Sequence, residues 1–322
     1  MPLFTAIFTA LAPPFLLIVL GWALKRARVL HPAHVPILNG LVINITLPAL
    51  VLLGLLRAPA LSPRLAVLPL AFFGAEIVTL GIAYGIGRVM RLPVGLQGAI
   101  LMVGVFGNTG FIGYPLTLAL LPREFPTTIL LDQFGMTLPM YFGAALLGAQ
   151  FGGSKGSGGG GRRTAILRFL RSPIFLSALL GLGLRLVPIP PALTAVPFLR
   201  ETGGIVGHCL EYLGQGTTPV VLLALGVALR PGAAGGRVGP MALACGCKLL
   251  VCPLLMWGLC HALGVRGEAL MDSVLIAAMP AAVMSSVLSA QNDMEGDFAV
   301  GVVFVSTVLS AVTLPLLLTV LR

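Results

Sequence analysis

The sequence predicts an all-α integral membrane protein of ten transmembrane helices, built as two inverted five-helix repeats with helices 4 and 9 broken. Three observations carry that expectation. Hydrophobic residues make up 57% and charged residues 9% of the 322-residue chain, and mean hydropathy is +1.04. A soluble domain carries about 25% charged residues, so this chain lacks the polar surface to cover a globule in water. Apolar runs near the roughly 20 residues needed to cross a bilayer recur ten times. Features of the first half return about 171 residues later in the second.

Taken in order, the spans fall near residues 6–24, 36–56, 65–87, 95–121 and 127–149, then 173–187, 203–229, 238–263, 268–291 and 297–321. The first could pass for a signal-peptide core. Its basic residues Lys25, Arg26 and Arg28 follow the apolar run, whereas a secretory signal places them before it. These spans define a first repeat over 1–150, a glycine-rich cytoplasmic linker over 151–172 and a second repeat over 173–322. The linker has Lys155 among glycines but not the order of a phosphate-binding loop, and reads as a flexible connection.

Lys and Arg are retained on the cytoplasmic side of short loops. With both termini outside, that side receives Lys25, Arg26, Arg28, Arg88, Arg91, Arg230, Arg237 and the linker's Lys155, Arg162, Arg163, Arg168 and Arg171. The outer side receives the sparser set Arg57, Arg64, Arg123, Arg185, Arg200, Arg266 and Arg322. The net charge of +10 is thus distributed as membrane-flanking charge, and nothing points to nucleic acid. Five cysteines lie in the second half without metal-ligand spacing, so no metal or other cofactor is expected.

Pro48 and Pro219 open similar apolar runs 171 residues apart, and Glu76 and Lys248 are 172 apart in spans 3 and 8. Repeats of five spans, an odd number, must be inverted relative to each other, a transporter architecture whose sites lie where helices are interrupted. Span 4 contains Gly104, Gly107, Asn108, Thr109, Gly110, Gly113, Tyr114 and Pro115. Glycine costs about 1 kcal/mol in a helix interior and proline about 3, so this helix is expected to break. Span 9 has a matching interruption around Met279, Pro280, Met284, Ser285 and Ser286.

The run Asn108 to Leu116, reading NTGFIGYPL, resembles the fourth-helix motif of the auxin efflux carrier family, which includes plant PIN carriers and bacterial organic-acid transporters. Thr46–Leu50, Leu225-Gly226 and Ala278-Met279-Pro280 are similar to that family too, and the likeness covers nearly the whole chain. The resemblance implies a scaffold of spans 1, 2, 6 and 7 and a moving domain of spans 3–5 and 8–10. Helices 4 and 9 would cross at their breaks, and the domain would shift like an elevator. Asn108 matches the asparagine that contacts an anion's carboxylate in such carriers. Where PIN carriers have a second crossing proline, this chain has Ser285 or Ser286, which displaces the expected break toward Pro280. A bacterial inner-membrane location, lipid on the outer faces and a homodimer fit the resemblance.

Broken helices present free N–H groups and partial positive charge at their N-termini, so crossed breaks can hold a carboxylate. The expected substrate-binding residues are Asn108, Thr109, Gly110, Tyr114, Pro115, Pro280, Met284, Ser285 and Ser286. The bland alternative is that Asn108 only caps the broken helix. Glu76 and Lys248 are expected to form an intramembrane ion pair, because charge inside a bilayer is costly unless paired. Asp132 and Gln133 are weaker candidates, and Asp132 could simply cap its helix.

No nucleotide-binding signature and no paired acids or His/Asp cluster are present, which argues against an ATP-driven pump and against an enzyme. The leading function is therefore a secondary carrier of small organic anions. The alternative is a sodium-coupled symporter of the bile-acid type, which shares the inverted ten-span plan. That reading needs carboxylate and polar oxygens clustered at the crossover, whereas this chain offers a Glu–Lys pair and an apolar ninth helix around Met279 and Met284, so sodium-independent transport is preferred.

Overall fold

A computed structural model of the chain describes residues 3–57, 67–153, 167, 170–186, 197–229 and 237–320. Most of the 151–172 linker therefore lies outside the described residues. The described chain is helical throughout, and a single antiparallel bridge between Gly107 and Ala281 is its one strand-like contact. Among the described residues, four helical stretches are long and apolar enough to cross a bilayer: Pro32–Leu56, Leu68–Val89, Val238–Ala262 and Gly296–Val320.

The helices follow in chain order. The first half holds α1 (Leu3–Arg26), α2 (Val35–Leu41), α3 (Leu47–Leu56), α4 (Leu68–Val89), α5 (Val94–Val103), α6 (Tyr114–Leu120), α7 (Phe125–Leu130) and α8 (Leu138–Phe151). The second holds α9 (Pro173–Leu186), α10 (Pro197–Ala228), α11 (Val238–Gly246), α12 (Cys252–Ala262), α13 (Gly267–Ala277), α14 (Val283–Gln291) and α15 (Gly296–Val320).

Prolines explain several of the joints. Wide π-helical stretches at Val42–Thr46, Thr109–Gly113, Leu131–Thr137 and Cys247–Val251 each run directly into an α-helix whose second residue is proline. Those prolines are Pro48, Pro115, Pro139 and Pro253. A proline cannot donate to the carbonyl four residues back and its ring crowds that carbonyl. Widening the preceding turn relieves the clash without breaking the rod.

The contacts divide the chain into two compact units. One comprises residues 16–61 and 168–228, and the other residues 1–15, 62–167 and 229–322. In the first unit, α3 packs on α9 and α10. Gly21 and Gly226 let α1 and α10 touch backbone to backbone, because a Cβ at either would collide with the other helix. Glu211 takes both guanidinium nitrogens of Arg57, at 3.2 and 3.3 Å. The second unit has one continuous apolar core in which Phe72, Ile100, Met102, Phe106, Met256 and Phe298 are all buried. Every candidate site residue belongs to this second unit.

Candidate functional site at two broken helices

Helix α5 ends at Val103 and the chain becomes helical again only at Thr109. Helix α13 ends at Ala277 and α14 starts at Val283. The two gaps cross and pair. The Asn108 amide donates to the Pro280 carbonyl at 2.7 Å, and the Ala282 amide donates to the Phe106 carbonyl at 3.0 Å. The Ala281 amide donates to Ser306 Oγ at 3.1 Å. Backbone groups freed by the breaks are thus satisfied inside the protein, as an apolar surround demands. Glycine makes the crossing possible: a Cβ on Gly113 would lie 2.9 Å from Ile276 Cδ1.

Around this crossing the expected residues separate into three groups. Asn108 is buried, yet its side chain makes no helix cap and its Nδ2 has no hydrogen-bond partner. It is an open donor at the break, and the capping alternative does not describe it. Thr109, Tyr114, Asp132 and Gln133 form one network instead. Asp132 accepts from Thr109 Oγ1, from the Tyr114 hydroxyl at 2.6 Å, from Gln133 Nε2 at 2.6 Å and from Thr137 Oγ1 at 3.2 Å. The hydroxyls of Thr109 and Tyr114 therefore face a carboxylate of the protein. Asp132 sits within the π-helical stretch and ties α7 to the restarted fourth helix.

Ser285 and Ser286 lie in the first turn of α14, past the gap, and donate to the Ala282 and Val283 carbonyls at 2.7 Å each. Met284 is half-buried beside them. Pro280 is buried in the middle of the gap, so the ninth-helix interruption runs over 278–282. Gly110 and Pro115 flank the fourth-helix restart, Gly110 half-exposed and Pro115 buried.

Glu76 and Lys248 lie close enough to sense each other's charge but share no hydrogen bond: both Glu76 oxygens are buried without a hydrogen-bond partner. Lys248 Nζ instead donates to the Ala277 carbonyl at 2.8 Å. That carbonyl closes α13, and a helix C-terminus carries partial negative charge that attracts a cation. The lysine consequently lies against the crossing. A Cβ on Gly107 would fall 2.7 Å from Lys248 Cε and 3.0 Å from Nζ.

Sequence reasoning missed a second carboxylate hub. Asp272 of α13 accepts from Thr128 Oγ1, which lies 2.8 and 3.0 Å from its two oxygens, and from Thr117 Oγ1 at 3.1 Å. An acid within the apolar run 268–291 was the available signal. Its oxygens and those around Asp132 form two separate groups that share no residue. A cleft of about 710 Å³ opens next to Ser286, but Asp293, Glu295 and Asp297 line it, which suits an anion poorly. Among the described residues no group of His, Cys, Asp and Glu could hold a metal ion in the usual three-ligand manner.

Apolar membrane-crossing helices and two interrupted helices that pair at their breaks fit the class of multi-pass membrane transport proteins. The model of the family described as "Membrane transport protein" matches residues 6–147 and 162–318. The chain belongs to this family, that of the auxin efflux carriers. It is 30% identical over 301 residues to an uncharacterized transporter of Methanothermobacter thermautotrophicus, covering 93% of each chain. It is 26% identical over 311 residues to an uncharacterized transporter of Methanocaldococcus jannaschii, covering 94% of each. A protein of Rhizobium meliloti provisionally named a malonate transporter is 28% identical over 334 residues, covering 98% of this chain and 96% of the relative.

Proposed function

We propose that the protein is a secondary active carrier of small organic anions such as dicarboxylates. One observation carries the reading: the buried, unpartnered Asn108 side-chain amide stands at paired helix breaks, and the Lys248 side chain lies against the neighbouring Gly107. A neutral donor, a fixed cation and a helix N-terminus together complement a carboxylate better than any neutral solute. The relative named for malonate supports the same substrate class.

Transport proceeds by an elevator-type movement, in which the unit of residues 1–15, 62–167 and 229–322 carries the crossing through the bilayer. Support comes from the division of contacts into two units, which gathers the pieces of spans 3–5 and 8–10 into one body. The ten-span inverted repeat, a bacterial inner-membrane location with both termini outside, and a homodimer complete the reading. It rests there on the basic-residue bias and on the family.

The test is uptake of labelled malonate and related carboxylates into proteoliposomes. Saturable uptake is expected in the wild type, and Asn108→Ala is expected to lower it at least tenfold while the melting temperature stays within a few degrees. Full activity in that variant would remove Asn108 from the site, and failure of every carboxylate would remove the substrate class. Sodium-coupled symport is a second reading, favoured by the oxygens around Asp132 and Asp272. A sodium gradient applied in the same assay separates the two.

A further inference from the structure

We propose that Asp272, Thr117 and Thr128 form a binding site for a monovalent metal cation of the sodium class. The site lies away from the substrate groups: Asp272 is on α13 before the gap, and Thr117 is in α6 beyond the restart. This inference goes beyond the organic-anion reading and does not depend on it.

The argument begins with an imbalance of hydrogens. Thr128 Oγ1 lies 3.1 Å from Thr117 Oγ1, 2.8 and 3.0 Å from the two Asp272 oxygens, and 3.3 Å from the Glu124 carbonyl oxygen. Thr128 Oγ1 thus sits among four other oxygens, and the two hydroxyls contribute only two hydrogens to the set. Oxygen-rich clusters short of donors are the ligand sets of hard cations.

Charge points the same way. Asp272, Thr117 and Thr128 are wholly buried. The ion pairs among the described residues are Arg57–Glu211, His208–Glu211 and Arg237–Glu295, so no side-chain cation lies against Asp272. Glu124 brings a further carboxylate to the same corner, held by Thr127 at 2.9 Å. A buried carboxylate among negative groups requires a counter-ion or a proton. The single buried carboxylate balances one positive charge, which favours a monovalent ion over a divalent one.

The site has a mechanical meaning as well. Its ligands come from α6, α7 and α13, three separate pieces of the unit that holds the crossing. An ion there would clamp the restarted half of helix 4 to the first half of helix 9, and so fix the gap geometry on which Asn108 and Lys248 depend. Ion binding and substrate binding would then favour the same arrangement, which is the requirement for coupling them.

The experiment uses the purified full chain in detergent without substrate. Thermal unfolding is followed in sodium, potassium and choline chloride at equal ionic strength and fixed pH. A saturable rise in melting temperature with sodium or potassium over choline is expected, because a ligand that binds only the native state stabilises it by mass action. Thr128→Val and Asp272→Asn are each expected to abolish that rise. If Asp272→Asn does not fold, Thr128→Val, close in volume and lacking the ligand oxygen, decides. Identical melting in all three salts overturns the site, as does an unchanged rise in Thr128→Val. A melting temperature that follows pH but not the salt overturns it in favour of a protonated Asp272. Carboxylate uptake is not part of the readout, so this proposal and the substrate proposal fail separately.

Discussion

Glu76 and Lys248 show how a charge inside a bilayer can be accommodated without a direct partner. Lys248 is held by a carbonyl at a helix end, while Glu76 is left with no hydrogen bond in its vicinity. Removing the lysine would take away both the nearby positive charge and the donor that satisfies the Ala277 carbonyl at the crossing. Lys248→Met is therefore expected to lower thermal stability sharply and to abolish transport. Glu76→Gln in the same chain should restore much of the stability but not the transport, because the ammonium at the crossing would still be missing. A double-mutant cycle on melting temperature checks this, and strictly additive effects would show that the two groups do not sense each other. Asp132 is the opposite case, a carboxylate saturated by four donors, and its role is to hold the helix restart in place.

Among the elements, the informative ones are the interrupted helices. Gly107 is where the backbone of one gap meets both the Ala281 bridge and the Lys248 side chain. A single methyl there has no room without displacing the lysine. Gly107→Ala is expected to reduce uptake at least tenfold, a larger effect than Gly110→Ala, whose Cβ would meet only Asp132 Oδ2 at 4.0 Å. Parallel uptake measurements on the two variants test the comparison, and equal effects would mean that close approach at Gly107 is unimportant. The π-helical stretches follow a simpler rule that was readable beforehand in part. Each precedes an X-Pro pair, but whether proline kinks, breaks or widens a helix depends on what packs against the next turn.

For the whole molecule, the prediction concerns movement. If the unit containing the crossing moves as one body, exposed positions on it change their access to water during the cycle and positions on the other unit do not. Ala290 is exposed on α14, and Tyr212 is 74% exposed on α10. In a background with Cys209 replaced by Ser, a single cysteine at Ala290 is expected to change its reactivity toward a membrane-impermeant thiol reagent when substrate is added. A cysteine at Tyr212 is expected to keep its reactivity. Unchanged labelling at both positions would count against the elevator movement.

The sequence by itself determined the solvent and the weak points of the helices. Low charge and long apolar runs require a bilayer, and glycine and proline in the Asn108–Pro115 stretch cannot be written into a regular helix. These are properties of composition and local backbone, and they do not depend on what lies across the fold. Only the tertiary structure decided which polar groups meet. Lys248 turns to the Ala277 carbonyl, Tyr114 and Thr109 turn to Asp132, and Thr117 and Thr128 converge on Asp272 from 155 and 144 residues away. Periodicity places a residue on a helix, but the partner of a buried charge is set by packing between helices distant in the chain. The carbonyl partner of Lys248 and the threonines around Asp272 were both beyond sequence reasoning for that one reason.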